Sequence, residues 1–162
     1  MPTVTHTDIY REIKAYLTGL FSCPSEIINQ GYQNGVSLPE NAVVMTILYE
    51  RNIDVSTNYY DISTGTTTVQ QSVEVTMQVD FYGNDAGVRC RKLSHLWKNM
   101  YATEELKKCQ PLYAKESRQM TYINEKDQYE HRWSIDILLQ YNPEFEHTQE
   151  FLDLPYFSII KP

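Results

Sequence analysis

Glycine, cysteine and long apolar runs are all scarce in this chain, and each scarcity removes a class of function. Six glycines in 162 residues leave little room for a phosphate-cradling loop, and Gly83 and Gly87 do not stand in the spacing such a loop needs. No serine sits in a Gly-x-Ser-x-Gly elbow. The three cysteines, Cys23, Cys90 and Cys109, are odd in number and widely spaced, which suits reduced thiols and not the disulfide framework of a small secreted domain. No stretch approaches 18 consecutive apolar residues, and Met1-Pro2-Thr3-Val4-Thr5-His6 has neither the basic start nor the apolar run of a leader. The sequence predicts a soluble protein made in a cytoplasm, without membrane contact.

Positive charge is also in deficit. Fourteen Lys and Arg stand against 21 Asp and Glu, a formal net charge of -7 with no block of like charge. Such a field repels a phosphate backbone, so sequence recognition of nucleic acid is not expected. What is present is enough apolar material, 41% of the residues, for one core in a chain too short for two.

Catalytic and metal chemistry find few candidates. His6, His95, His131 and His147 are scattered and take no metal-ligand spacing. Cys90 and His95, five residues apart, fall on different faces of a helix, and Cys109 has no adjacent base to activate it. Glu74, Asp80 and Asp136 would make an acidic cluster for a divalent ion if they converged, as in nuclease sheets, but no neighbouring Glu-x-Lys completes such a site. No catalytic residue, cofactor or metal site is therefore expected. A metal-dependent nuclease using those three carboxylates stands as an alternative, beside a non-viral α+β adaptor or interaction domain.

The hydrophobic pattern predicts the fold in chain order. Asp8 is placed to cap a helix with apolar residues Ile9, Ile13, Tyr16, Leu17, Leu20 and Phe21 at three- and four-residue intervals, ended by Cys23-Pro24. Ile27, Ile28 and Tyr32 suggest a short strand stopping at Asn34-Gly35. Residues 42–49 are apolar on both faces and rich in β-branched side chains, as in a central strand. The polar segment 54–72 reads as a hairpin with Ser63-Thr64-Gly65-Thr66 at its tip.

Beyond it, Val73, Val75, Met77, Val79 and Phe81 alternate with polar residues, and Gly83-Asn84-Asp85 closes that strand. A second helix follows with an inward stripe of Ala86, Cys90, Leu93, Trp97 and Met100. The stretch 110–141 ends in a long alternating strand with Ile135, Ile137, Leu139 and Tyr141 inward. Too few helices to alternate with strands argue for an α+β two-layer sandwich: two main helices on one face of a largely antiparallel mixed β-sheet, with a projecting β-hairpin. The mixed outward residues of the best strands leave the other face either wet or covered by another subunit.

Several runs carry a resemblance: Val75-Thr76-Met77-Gln78-Val79-Asp80-Phe81-Tyr82-Gly83, Pro111-Leu112-Tyr113-Ala114, Arg118-Gln119-Met120, Tyr122-Ile123-Asn124 and Gln128-Tyr129-Glu130-His131-Arg132-Trp133. In this order, over roughly residues 7–145, the chain resembles the phage neck and tail terminator family of tailed phages and prophages. The resemblance implies a non-enzymatic virion protein at the top of the tail, forming a homo-oligomeric, usually hexameric ring on the tail tube protein. That ring stops tube growth and offers a surface to the head-tail connector or neck protein. A terminator-like domain over 1–145 and a C-terminal extension over 146–162 are expected. Tyr59, Tyr60, Thr64, Gly65 and Thr66 of the hairpin, with Arg118, Asn124 and Arg132, are the residues expected at a subunit or partner interface.

Overall fold

The computed structural model describes residues 3–32, 37–123 and 129–149. Helix α1, His6–Phe21, begins with a capping box: the Thr5 hydroxyl accepts from the Asp8 amide while the Asp8 carboxylate accepts from the Thr5 amide. The cap is thus Thr5, and Asp8, expected at that position, is the third helical residue that completes the box. Ser22, in the left-handed conformation, ends the helix. Ile9, Ile13, Tyr16, Leu17 and Leu20 turn inward and are buried.

A single 3₁₀ turn, Ser25–Ile27, leads into the short strand β1, Ile28–Gln30, which pairs parallel with β2, Val43–Asn52. Asn34-Gly35, expected to close β1, lies outside the described residues. Strand β2 is apolar on both faces only at its start. A bulge between Ile47 and Tyr49 and the shortness of β1 leave Leu48 and everything after it exposed.

Next come β3, Thr57–Asp61, β4, Thr66–Gln70, and β5, Val73–Tyr82. Helix α2, Ala86–Trp97, buries Ala86, Cys90, Leu93 and Trp97. Met100, expected on the same stripe, is exposed, because α2 stops at Trp97 and a separate helix α3, Met100–Glu105, starts in a new phase. Then follow β6, Gln110–Ala114, β7, Arg118–Ile123, β8, Tyr129–Tyr141, and β9, Glu144–Thr148.

The main sheet has the order β1-β2-β5-β8-β6, with β7 also pairing with β8, and is antiparallel except at β1. Both main helices lie on one face. Tyr16 of α1 meets Trp97 of α2 edge to face, ring centroids 5.7 Å apart, and their apolar stripes join Val75, Met77, Val79, Ile135, Ile137 and Leu139 in one core. The α+β sandwich read from periodicity is the fold observed.

The opposite sheet face is buried at its floor and open at its rim, where the Arg51 and Arg118 side chains stay more than half exposed. Its floor, Thr76, Ser134 and Leu138, is buried within the single chain. Around that floor three arginines from three strands reach three carboxylates. Arg51 binds Glu74 at 2.6 Å, Arg132 binds Asp80 at 3.0 Å, and Arg118 binds Asp136 at 3.0 Å with Lys115 at 3.7 Å from the same carboxylate.

A second sheet, in the order β3-β4-β9, continues the first. Each of its strands follows in sequence, or precedes, one of the central three: β2 runs on into β3, β4 leads into β5, and β8 runs on into β9. The hairpin expected at 54–72 is therefore two strands of a three-stranded arm. Strand β9 escaped the sequence reading because Glu144-Phe145-Glu146-His147-Thr148 offers one apolar side chain for an alternation to show. The boundary expected at residue 145 falls inside β9, whose pairing with β4 joins the residues on either side of it.

Candidate assembly surface

The arm begins at an elbow. Between Asn52 and Thr57 the chain has four residues, 53–56, facing only two, 71–72, on the strand opposite, since Asn52 pairs with Val73 and Thr57 with Gln70. Surplus residues on one side of a ladder bend and twist it. The bend is tied by Asp54, whose carboxylate accepts from the Ser72 amide at 2.9 Å and the Ser72 hydroxyl at 2.6 Å, while its carbonyl accepts from the Gln71 side chain. Those two bonds, the hydroxyl's before the amide's, hold the Asp54 carboxyl below the usual carboxylate range. On the third strand Pro143 sits at the turn of the path, where its missing N–H costs the ladder nothing.

At the far end, residues 62–65 connect β3 to β4. Asp61 accepts from both the amide and the hydroxyl of Ser63, and the Gly65 amide returns to the Asp61 carbonyl at 2.9 Å. Gly65 has φ +64, the left-handed region in which a Cβ is strained. The tip is consequently a specified turn, and Thr64 is exposed on it beside the part-covered Thr66.

Among the described residues no apolar layer covers the β3 side of the arm. Every residue of β3 is exposed, Tyr59 at 65% and Tyr60 at 37%, and Val55, Ile62 and Phe145 are exposed around them. The outer edge of β3 has no strand beside it among the described residues. A three-stranded ribbon of this kind holds its shape by continuity with the main sheet, and its exposed apolar side chains lie on both of its faces, since Tyr59 and Tyr60 are successive residues of one strand.

Arg118 and Arg132 lie elsewhere, together on the polar face of the main sheet, engaged with Asp136 and Asp80. Arg132 also stacks over the Tyr82 ring at 5.7 Å. Eleven residues, 133–143, separate Arg132 from the start of β9, roughly 40 Å of extended chain, so the expected interface residues form two groups, not one. Asn124 lies outside the described residues.

Where the arm leaves the body there is a cavity of about 500 Å³ lined by Val4, His6, Glu50, Val69, Tyr141 and Phe145, among others. His6 Nε2 lies 2.7 Å from Glu50 Oε1, and the Tyr141 hydroxyl donates to the same oxygen at 3.0 Å. Burial first, then Glu50, pushes the Tyr141 hydroxyl up to about 12, so it remains a donor. The three side chains tie α1 to the last turn of the sheet before the arm.

The groups weighed for catalysis are otherwise employed. Glu74, Asp80 and Asp136 each hold an arginine, and among the described residues no three His, Cys, Asp or Glu side chains form a metal-binding set. Burial raises the Cys90 and Cys109 thiols, which disfavours the thiolate that nucleophilic chemistry needs. A residue that sequence reading missed is Glu12, whose carboxylate accepts the successive amides of Lys107, Lys108 and Cys109 at 2.6 to 3.2 Å. Nothing in the sequence around Glu12 signals this, since the partner loop is 95 residues away.

The chain thus presents an exposed arm beside a sheet face whose carboxylates are paired with arginines. It matches the family of the phage neck terminator protein over residues 7–161 and belongs to that family, a phage structural protein of the neck that meets tail and head components in the virion. The match runs past Pro143 through residues that carry no legible motif. No curated protein matches the chain.

Proposed function

We propose that this protein acts without catalysis and without a cofactor, closing as a sixfold ring on the head-proximal end of the tail tube. The ring stops tube growth and presents the surface to which the head connector or neck protein binds. The observation that carries this reading is the arm: a three-stranded extension whose outer strand has no neighbouring strand among the described residues, with Tyr59, Tyr60 and Ile62 exposed, on a chain of the neck terminator family.

An unpaired edge is a hazard in a protein that must stay monomeric and an asset in one that must assemble. A head-to-tail contact repeated by rotation closes when the circle is complete, so assembly limits itself. A charge of -7 on each copy opposes ring closure in dilute solution and favours closure on a template such as the tube. Tyr59, Tyr60, Thr64, Gly65 and Thr66 make the contact to a neighbour or the tube. Arg118 and Arg132 support it from the sheet, with Asn124 between them in sequence.

Replacing residues 60–69 by a short glycine link tests this. The variant should remain folded by circular dichroism and yield tails of unregulated length, or tails that fail to join heads. Normal infectious particles would remove the arm from the mechanism.

A further inference from the structure

Charge is segregated in this chain in a way that its net value conceals. The arm, residues 53–72 with 144–149, carries Asp54, Asp61, Glu144 and Glu146 and no Lys or Arg. Helix α2 with the residue that follows it, 86–98, carries Arg89, Arg91, Lys92 and Lys98 and no Asp or Glu.

Two of those four cations brace the fold: Arg89 donates to the carbonyls of Asn41 and Tyr82, and Lys92 to that of Leu20. The other two face outward. Val88, Arg91, His95 and Lys98 recur at intervals of three, four and three residues, which sets them in one stripe along the helix, and all four are exposed. Among the described residues Arg91 and Lys98 have no ion-pair or hydrogen-bond partner, and Val88, at 73% exposure, sets an apolar contact beside them.

We infer that the acidic arm of one copy docks on the basic Val88–Arg91–His95–Lys98 stripe of α2 in the next copy. The inference rests on the ring reading and gives its contact a donor and an acceptor surface. Opposite charge on two separate patches of one chain suits a head-to-tail contact, because neither patch complements itself. The arm brings exposed Ile62 and Tyr59 near its acids as the stripe brings Val88 near its bases, so apolar and charged groups are matched together.

Charge reversal on each side, followed by the combination, separates this from the alternatives. The pair Arg91→Glu with Lys98→Glu, and separately Asp61→Lys with Glu146→Lys, should each lower the copies retained in purified particles by about ten-fold or more. Combining all four should restore incorporation. The milder Arg91→Gln with Lys98→Gln serves where reversal disturbs the helix by circular dichroism, and should make incorporation more sensitive to salt. Unaltered incorporation in either reversed pair, or no rescue in the combination, overturns the inference. Loss on the arm side alone assigns the arm to the tube and overturns it equally. Wild-type particles with no closed ring at the neck would instead remove the ring reading itself.

Discussion

Removing the Trp97 indole should be among the costliest single changes in this fold. The side chain is 1% exposed, stands edge to face with Tyr16 at 5.7 Å, and donates Nε1–H to the Leu138 carbonyl at 3.1 Å. It thereby pins α2 to both α1 and β8. Burying about 200 Å² of aromatic surface at about 25 cal/mol per Å² contributes about 5 kcal/mol; the methyl that alanine keeps and partial collapse around it recover some of this, the remaining cavity adds a cost, and the loss falls at about 3 to 5 kcal/mol. The orphaned carbonyl adds about 1 kcal/mol.

Trp97→Ala is therefore expected to cost about 4 to 6 kcal/mol in equilibrium urea unfolding, as a lower midpoint at unchanged slope. Trp97→Phe keeps the ring and loses the bond, and should cost about 1 to 2 kcal/mol. Trp133 is only partly buried against the same core and rests on Gly87, so Trp133→Ala should fall near 2 kcal/mol, below the equal cost that two inward tryptophans would suggest. A loss under about 1.5 kcal/mol for Trp97→Ala, or equal losses for the Ala and Phe variants, would refute the packing described for this helix.

Arg118→Ala should leave the domain folded and cost about 1 kcal/mol in thermal or urea melts, because Arg118 is half exposed and Lys115 stays beside Asp136; outright unfolding would assign Arg118 a larger structural share. Gly83→Ala should cost about 1 to 3 kcal/mol, since Gly83 has φ +99 and a Cβ there would stand 2.2 Å from the Asn41 side-chain oxygen; a neutral substitution would contradict that geometry. The elbow should loosen in acid: Asp54 is held below its ordinary range by the Ser72 bonds, so its contribution is complete above the unfolded carboxylate value near ~4 and is lost as pH falls through the lower folded value. Hydrogen exchange, corrected for intrinsic rates, should therefore speed up in β3 and β4 before the main sheet on acidification, and uniform or unchanged protection would speak against the elbow tie.

Strong periodicity made most of the body legible before its structure. Val73 to Phe81 alternate without interruption, Ile135 to Tyr141 do so except at Leu138, and the α1 stripe repeats every three to four residues, so each element's inward face follows from geometry alone. What was illegible depends on partners distant in sequence. Strand β9 has its pairing written in β4, Glu12 has its partners in a loop after α3, and the three carboxylates once readable as a metal cluster are claimed by Arg51, Arg118 and Arg132 on neighbouring strands. Met100 shows the complementary failure: a stripe extended past Trp97 assumes an unbroken helix, and the break at Lys98-Asn99 resets the phase. The residues expected at an interface divide on the same ground, because the exposure of Tyr59 and Tyr60 needs no distant partner while the ion pairs of Arg118 and Arg132 depend on carboxylates of neighbouring strands.

The most direct test is an electron-microscopy map of the neck in intact particles. A closed ring of copies of this chain at the head-proximal end of the tail tube, with density for residues 57–70 reaching the adjacent copy, is the predicted result. A neck with no density for the chain, or with copies whose arms point away from every neighbour and from the tube, would contradict it.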